Sequence, residues 1–221
     1  FENGFVPEGK GLAAKREEAR KKLLEVATAT WDYNFQPETL IVGTSGRYEY
    51  RNKGIDVFLE SLKQLASSSL DRDVLAVVAV PAANIGMRQD LAQHLENKES
   101  AIDPAQKRWL THNLESEAWD LVSQSIEGSI LSTSASRVKV LFVPTYLNGN
   151  DGIFNMPYYD VLAGVDLTVF ASYYEPWGYT PLESVAYGVP TVTTTLAGFG
   201  LWVANHSNRA GVDVVRRDDY N

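Results

Sequence analysis

The chain has 221 residues, of which 44% are hydrophobic and 22% charged, as in folded globular proteins rather than disordered or fibrous ones. It contains no cysteine, which excludes disulfide bonds, cysteine-ligated zinc and iron–sulfur clusters. A net charge of −8 argues against a nucleic-acid partner, which would select a basic surface. The longest apolar run, residues 74–80, is far shorter than the roughly 20 residues of a membrane-spanning helix, so we expect no membrane partner.

The beginning of the chain shows no signal peptide, and its first residue is Phe1 rather than Met. We therefore expect a fragment of a longer protein. The lack of cysteine fits a reducing compartment, so we expect a cytoplasmic location.

Helices and strands alternate along most of the sequence. Residues 12–31 are predicted to form a helix, and the charged run 15–22 within it to be a solvated face. Apolar runs predict strands at 40–43 and 74–80. Further strands are predicted at 138–143, 167–170, 189–193 and 212–215, and further helices at 55–65, 157–163 and 181–187. This alternation predicts an α/β fold, a Rossmann-like, doubly wound parallel sheet with helices on both faces, in one lobe over residues 1–221.

One crossover is longer than a β-α-β unit requires. Residues 84–97 are predicted to be helical, and a second helix with an apolar stripe is predicted from Pro104 onward. Residues 84–127 are therefore expected to form an inserted helical hairpin. Trp109 and Trp119 lie on it, either packed in the core or at an oligomer contact.

The phosphate-binding motifs of two common nucleotide-binding classes are missing. The sequence contains neither G-x-G-x-x-G nor G-x-x-x-x-G-K-[ST], which argues against a dehydrogenase and a P-loop NTPase. His94, His112 and His206 are isolated from one another in the sequence. We therefore expect no metal site and no cofactor.

The loop after the first strand, residues 43–54, combines glycines with two cations. Ligands of an open α/β sheet bind beyond the carboxyl ends of the strands, where this loop lies. Arg47 offers a planar fork suited to phosphate, and Lys53 offers a point charge at the start of the next helix, whose N-terminus also favours anions. The combination suits a diphosphate, and the alternative is two surface cations in a loop.

The loop after the strand at 167–170 is the richest stretch in polar and aromatic groups. Thr180 and Glu183 are spaced as a capping box, which gives Glu183 a structural role at the start of a helix. Backbone N–H groups at Gly178 and Thr180 are placed to face an anion. Glu175, at the strand exit, is either a surface carboxylate or a site residue.

Residues 175–183 have two glutamates eight positions apart, as in many retaining glycosyltransferases of the GT-B fold. The longer string 172–183 resembles glycogen synthases of the animal and fungal type. Further matching positions are Gly188, Pro190, Thr193, 198–200, 46–49 and 52–54. The resemblance extends from about Asn3 to the end of the chain.

The resemblance implies a role for each matching residue. As catalytic residues, Arg47 and Lys53 would contact the donor pyrophosphate and stabilise the leaving diphosphate, and Glu175 would lie near the donor sugar. Among the substrate-binding residues, Tyr158 would stack on the nucleobase and Glu183 would bind the ribose. The backbone at Gly178, Tyr179 and Thr180 would hold the distal phosphate. Trp177 would either stack on the sugar or support the loop.

The resemblance also implies a reaction, in which glucose passes from UDP-glucose or ADP-glucose to the 4-hydroxyl of an α-glucan with retention. Such synthases have two Rossmann-like lobes, and the chain matches the C-terminal, donor-binding lobe. The N-terminal lobe, which carries the acceptor contacts, and the arginine-rich regulatory helix lie outside the match. We therefore expect a nucleotide-sugar-binding lobe that is inactive alone, with the choice of base and homo-oligomerisation left open.

Three alternatives remain at this point. The short glutamate motif also fits a sucrose synthase-like or trehalose-forming enzyme, although the string 173–180 favours the synthase. A non-catalytic assembly module would bind no nucleotide and would be insensitive to Arg47→Ala. A sugar-nucleotide epimerase shares the fold but should lack the string rich in glycine and tyrosine.

Overall fold

A parallel six-stranded sheet forms the centre of the protein. The structure is a computed structural model, and it describes residues 6–206 and 210–217. The strands are β1 (Leu40–Ser45), β2 (Val74–Ala79), β3 (Asn84–Met87), β4 (His112–Leu114), β5 (Val138–Val143), β6 (Leu167–Val169), β7 (Thr191–Thr194) and β8 (Val212–Val215). The helices are α1 (Gly9–Trp31), α2 (Ile55–Ala66), α3 (Gln89–Glu96), α4 (Leu121–Ile126), α5 (Tyr158–Ala163), α6 (Tyr179–Ala186) and α7 (Gly198–Ala204). None of these helices combines the length and apolarity needed to cross a bilayer.

The strand order of the main sheet is β5-β2-β1-β6-β7-β8, and every neighbouring pair is parallel. The predicted doubly wound α/β fold is confirmed. The chain builds outward from β1 in one direction through β2 and β5, and in the other through β6, β7 and β8. The loops after β1 and β6 therefore diverge at a topological switch point, where open α/β sheets bind their ligands.

Two apolar cores cover the two faces of the sheet. Successive residues of β2 point to opposite faces, so Leu75 packs in one core and Val74 in the other. The first core is covered by α1, α3 and α5, and the second by α2 and α4. Because β2 and β5 are buried on both faces, β2 is a continuous apolar run, and β5 is apolar apart from the buried Lys139.

The predicted helical hairpin at 84–127 is wrong. Residues 84–87 form β3, which pairs antiparallel with β4, and only α3, a 3₁₀ turn at Glu117–Trp119 and α4 are helical. Residues 109–111 run instead along the edge of β5, where the Phe142 N–H donates to the Trp109 carbonyl at 2.6 Å. Pairing with this open strand edge satisfies backbone groups that an isolated helix would have satisfied internally, and it overrides the helical spacing.

A buried arginine fixes the extended course of this segment. The Arg88 guanidinium donates to the carbonyls of Lys107 and Leu110, both at 3.0 Å, and pairs with Asp90. Trp109 is 5% exposed, so core packing is confirmed for it, whereas Trp119 is 82% exposed. The two tryptophans therefore have opposite environments, although the predicted hairpin placed them on the same element.

Helix α1 differs from its prediction in one respect. The charged run was expected to be a solvated face, but Lys15 pairs with Asp160, and Arg16 and Arg20 pair with Asp166 at 3.0 and 2.6 Å. Asp166 also accepts the Ile41 N–H at 2.9 Å. These contacts hold α1 against the amino end of β1, because the Asp166 carboxylate accepts hydrogen bonds from both the helix and the strand.

Replacing Asp166 should therefore destabilise the fold. Asp166→Ala removes the acceptor of Arg16, of one Arg20 amino group and of the Ile41 N–H, and we expect a loss of about 2 kcal/mol in the free energy of unfolding. Urea denaturation measures it. The matched control is Asp71→Ala, whose side chain is 84% exposed and which should stay within about 0.5 kcal/mol of the wild type. Equal effects of the two substitutions would contradict the docking role.

Candidate functional site

A cleft of about 400 Å³ opens at the carboxyl ends of the strands, beside the switch point. Segments following β1, β2 and β5 form its walls, together with the start of α5 and of α6. The lining residues are Ser45, Gly46, Arg47, Tyr48, Ala79, Pro81, Thr145, Tyr146, Leu147, Tyr158 and Thr180. We call this the main cleft; its volume falls in the range of small-molecule sites.

Arg47 brings a cation to the main cleft. Its side chain is 75% exposed, and its guanidinium contacts the Glu49 carboxylate at 3.0 Å. An exposed ion pair of this kind contributes little to stability, so the guanidinium is available to exchange its partner for a stronger anion. The structure thus places Arg47 where the sequence predicted an anion contact.

Lys53 and Glu175 form an ion pair across the crevice. Lys53 comes from the loop after β1 and Glu175 from the loop after β6, and the Lys53 Nζ donates to Glu175 Oε2. Their side chains are only 13% and 17% exposed. Two residues predicted separately as site residues are therefore direct partners, and the pair fixes a shielded ammonium beside a carboxylate at the switch point.

The backbones of these two loops lie in direct contact. The Tyr173 N–H donates to the Asn52 carbonyl at 2.9 Å. Gly54 has φ +67°, and a Cβ at this position would overlap the Ala171 carbonyl. Glycine is required here both for the left-handed conformation and for the close approach. The Lys53–Glu175 pair depends on this contact, because Lys53 directly precedes Gly54.

The loop after β6 is supported by the chain that leads into α7. Glu175 and Ala197 form a parallel bridge, in which the Gly198 N–H donates to the Glu175 carbonyl at 3.0 Å. The Trp177 ring packs edge-on against Phe199, with centroids 6.0 Å apart, and against Trp202. Trp177 thus has the loop-supporting contacts that the sequence offered as one alternative, while its contact with sugar stays a prediction. Helix α7 itself was not predicted, because its run Gly198–Ala204 is short and rich in glycine.

The predicted capping box at Thr180 is wrong, because α6 begins two residues earlier. Gly178, with φ +99°, precedes the first helical residue, Tyr179. Proline is tolerated in the first turn, so Pro181 does not prevent this earlier start. No side chain among the described residues caps the helix at Gly178, and Thr180, in the first turn of α6, lines the cleft.

Glu183 binds a tyrosine instead of capping the helix. The Tyr159 hydroxyl donates to Glu183 Oε1 at 3.0 Å, and the Tyr159 ring stacks on Tyr187 with centroids 5.3 Å apart. Burial, and next the bond to Glu183, raise the pKa of Tyr159 to about 12. The neighbouring Tyr158 lies against the cleft, 2.7 Å from the Ser45 hydroxyl, and burial raises its pKa. Glu183 is thereby oriented with one carboxylate oxygen left for another donor.

Tyr146 is a cleft residue that the sequence analysis missed. It follows β5, lines the main cleft and is 74% exposed, together with Pro81, which follows β2. The signal was present, since both residues lie just beyond the carboxyl end of a predicted strand. An exposed aromatic ring opposite Tyr158 gives the main cleft a second flat apolar surface.

A buried histidine braces the loop that carries Tyr146. His112 Nε2 lies 2.9 Å from the Asp151 carbonyl, and Nδ1 lies 2.9 Å from the Thr111 hydroxyl. Because a carbonyl only accepts, Nε2 carries a proton. Burial lowers the pKa of His112. Within residues 6–206 and 210–217, no group of three or more His, Asp or Glu side chains is arranged to hold a metal ion.

A family model described as glycogen synthase matches residues 93–219, more than half of the chain. The chain belongs to the glycogen synthase family. It is 31% identical to the glycogen [starch] synthase of Neurospora crassa, in an alignment that covers 84% of this chain and 35% of that protein. It is 30% identical to the liver glycogen [starch] synthase of Mus musculus, over 76% of this chain and 31% of that protein.

This glycogen synthase family member spans about a third of the length of the curated relatives it matches. Among solved structures, it is similar to Anabaena Alr3699/HepE in complex with UDP and glucose, with a TM-score of 0.46 and 17% identity, over 94% of this chain and 39% of that chain. The roles of individual residues rest on the geometry described above.

Two glycines test the close approach of the loops. Gly54→Ala adds a Cβ both at positive φ and against the Ala171 carbonyl, so the loops must separate. Gly128→Ala has nearly the same φ, +70°, but open space around the new Cβ. We expect Gly128→Ala to cost about 1 kcal/mol and Gly54→Ala at least about 2 kcal/mol more, measured by urea denaturation. Similar losses for the two variants would show that the contact is unimportant.

The bracing histidine predicts a pH dependence. A His pKa lowered by folding means that the unfolded chain binds more protons below pH 6.5, the ordinary value. The stability contributed by neutral His112 is complete above pH 6.5 and is lost as the pH falls through the lowered pKa. The melting temperature of the wild type should therefore fall between pH 6.5 and 5 more steeply than that of His112→Gln. His206→Gln, outside the insertion, should keep the wild-type slope, and a wild-type slope in His112→Gln would refute the assignment.

Proposed function

We propose that the chain is the donor-binding lobe, half of a GT-B fold, of a glycogen synthase-type glucosyltransferase. It would bind UDP-glucose or ADP-glucose, and the enzyme would transfer the glucose to the 4-hydroxyl of an α-1,4-glucan with retention. The observation that carries this proposal is the shielded Lys53–Glu175 pair at the switch point, next to a cleft that holds Arg47. Membership of the family supports the choice of reaction.

The diphosphate of the donor would lie between the two cations and the start of α6. Arg47 and Lys53 supply positive charge, and the first N–H groups of α6, at Tyr179 and Thr180, supply uncapped donors at the positive end of the helix. Glu175 holds Lys53 in place before the ligand arrives. This arrangement lowers the cost of ordering Lys53 when the phosphate binds.

The nucleoside would occupy the main cleft. Tyr158 and Tyr146 offer flat rings on which either uracil or adenine would stack. Glu183 lies on the same helix as Thr180, about one turn further along the chain. Its second carboxylate oxygen would accept a hydrogen bond from the ribose. Glu183 is oriented for that contact by Tyr159.

The barrier of the reaction lies in breaking the bond between the glucose C1 and the phosphate oxygen. The electron pair of this bond moves to the diphosphate, while positive charge develops on the sugar. Arg47 and Lys53 stabilise the leaving diphosphate, and the Glu175 carboxylate stabilises the developing charge on the sugar. Because Lys53 and Glu175 are both shielded from water, each acts more strongly than an exposed charge would.

The acceptor contacts and the second wall of the active site would come from the other lobe, which would lie in the part of the relatives that this chain does not span. The chain alone would therefore bind the donor without transferring glucose. We propose a cytoplasmic location on the basis of the family, with no resident cofactor.

Calorimetric titration of the chain with UDP and ADP tests the proposal. One nucleotide should bind, and Arg47→Ala and Lys53→Ala should each raise its Kd roughly 10- to 100-fold, the loss of a charge-assisted hydrogen bond. The control is Arg72→Ala, whose side chain is 52% exposed at the opposite, amino end of β2. Absence of binding by a chain with a native circular dichroism spectrum would contradict the proposal and favour the assembly module.

A further inference from the structure

A second cleft of about 400 Å³ lies beside the main cleft. It is formed where the loop after β1 meets the end of the insertion, and its walls include Tyr48, Tyr50, Ser116, Trp119 and Asp120. We call it the Trp119 cleft. Tyr48 lines both clefts, so the two are separated by a single side chain.

The Trp119 cleft presents aromatic rings to solvent. Trp119 is 82% exposed and Leu121, next to it, 48%. Large apolar side chains that are exposed next to one another often mark a binding surface. The wall behind them is fixed, because the Tyr48 hydroxyl donates to Asp120 at 2.6 Å and accepts the Val122 N–H at 3.1 Å.

The charges of the two clefts select different ligands. No Lys or Arg is among the residues lining the Trp119 cleft, whereas the main cleft contains Arg47. Asp120 is the lining carboxylate, and its two oxygens already accept from Tyr48 and from the Ser123 N–H at 2.7 Å. A phosphate would meet negative charge without a cation, so the cleft suits a neutral ligand.

A sugar chain combines the two properties that this cleft would recognise. The C–H face of a hexose ring is apolar and packs on an aromatic face, and its hydroxyls bond to polar groups at the rim. Ser116, which is exposed, provides such a group beside Trp119. A protein partner would need a wider apolar surface than one tryptophan and one leucine at the edge of a cleft.

We infer that the Trp119 cleft binds the α-glucan, so that the donor-binding lobe itself holds a stretch of the polymer next to the donor. This inference rests on the proposed function, which makes an α-glucan the acceptor. Tyr48 forms the shared wall, and a glucan lying on Trp119 is held within one side chain of the main cleft. Binding there would raise the local concentration of chain ends at the site.

The indole N–H resonances of the five tryptophans provide a direct test in the ¹⁵N-labelled chain. The resonance of Trp119 is assigned by its loss in Trp119→Phe. Titration with maltoheptaose should shift this resonance, and calorimetry should show binding that weakens roughly tenfold in Trp119→Ala and is partly restored in Trp119→Phe. Since Trp119 is exposed, these substitutions leave the fold intact. The control is Ile85→Ala, another exposed apolar residue of the insertion, 71% exposed and outside the cleft, which should bind as the wild type does.

Nucleotide titration separates this inference from the proposed function. Maltoheptaose binding that persists in Arg47→Ala, with UDP or ADP binding that persists in Trp119→Ala, would support two distinct sites. A chain that binds nucleotide but shows no shift of Trp119 would overturn the glucan site and leave the proposed function standing. A dimer detected by sedimentation that becomes a monomer in Trp119→Ala would also overturn the glucan site, because the surface would then be an interface between two copies of the chain.

Discussion

The contact between the loops after β1 and β6 is the constraint on which the site depends. The reversal of strand order opens a crevice between β1 and β6, and the two loops that flank it would separate unless something held them. Gly54 lets the backbones touch at Ala171, and the Lys53–Glu175 pair then closes over this contact. A buried ion pair is weak support for stability, because desolvation offsets most of its attraction. Its value here lies in holding two charges of opposite sign in fixed positions at the switch point.

The insertion between β2 and β5 is a second structural element of the site. It adds residues 109–111 to the edge of β5, and from this anchored position His112 braces the loop that carries Tyr146. Its far end supplies Asp120, which bonds to Tyr48 on the opposite loop. The insertion thus supports one wall of the main cleft and forms one wall of the Trp119 cleft. A change in packing where the insertion joins β5 would therefore alter the shape of both clefts.

The two clefts differ in the charge of the side chains that line them. One contains a cation and aromatic rings and lies at the uncapped start of α6, while the other has aromatic rings without a cation. On the proposals made above, this difference in charge would direct an anion and a neutral polyol to adjacent positions. The shared Tyr48 is held by hydrogen bonds at its hydroxyl, so that its ring remains a fixed partition.

The sequence by itself determined the strands of the sheet and the loops that carry the candidate site residues. Short stretches rich in apolar and β-branched residues identified the strands of the main sheet, and the loops after the first and fourth of them contained the cations and glutamates that the structure brings together. These features are local, since burial on both faces and the residues following a strand are readable from neighbours in the chain. Only the tertiary structure decided that Lys53 pairs with Glu175, that Glu183 binds Tyr159, and that residues 109–111 are extended on β5 although their spacing is helical. Each of these depends on a partner distant in sequence, and a strand edge or a facing carboxylate outweighs local propensity once the fold brings it within hydrogen-bonding distance.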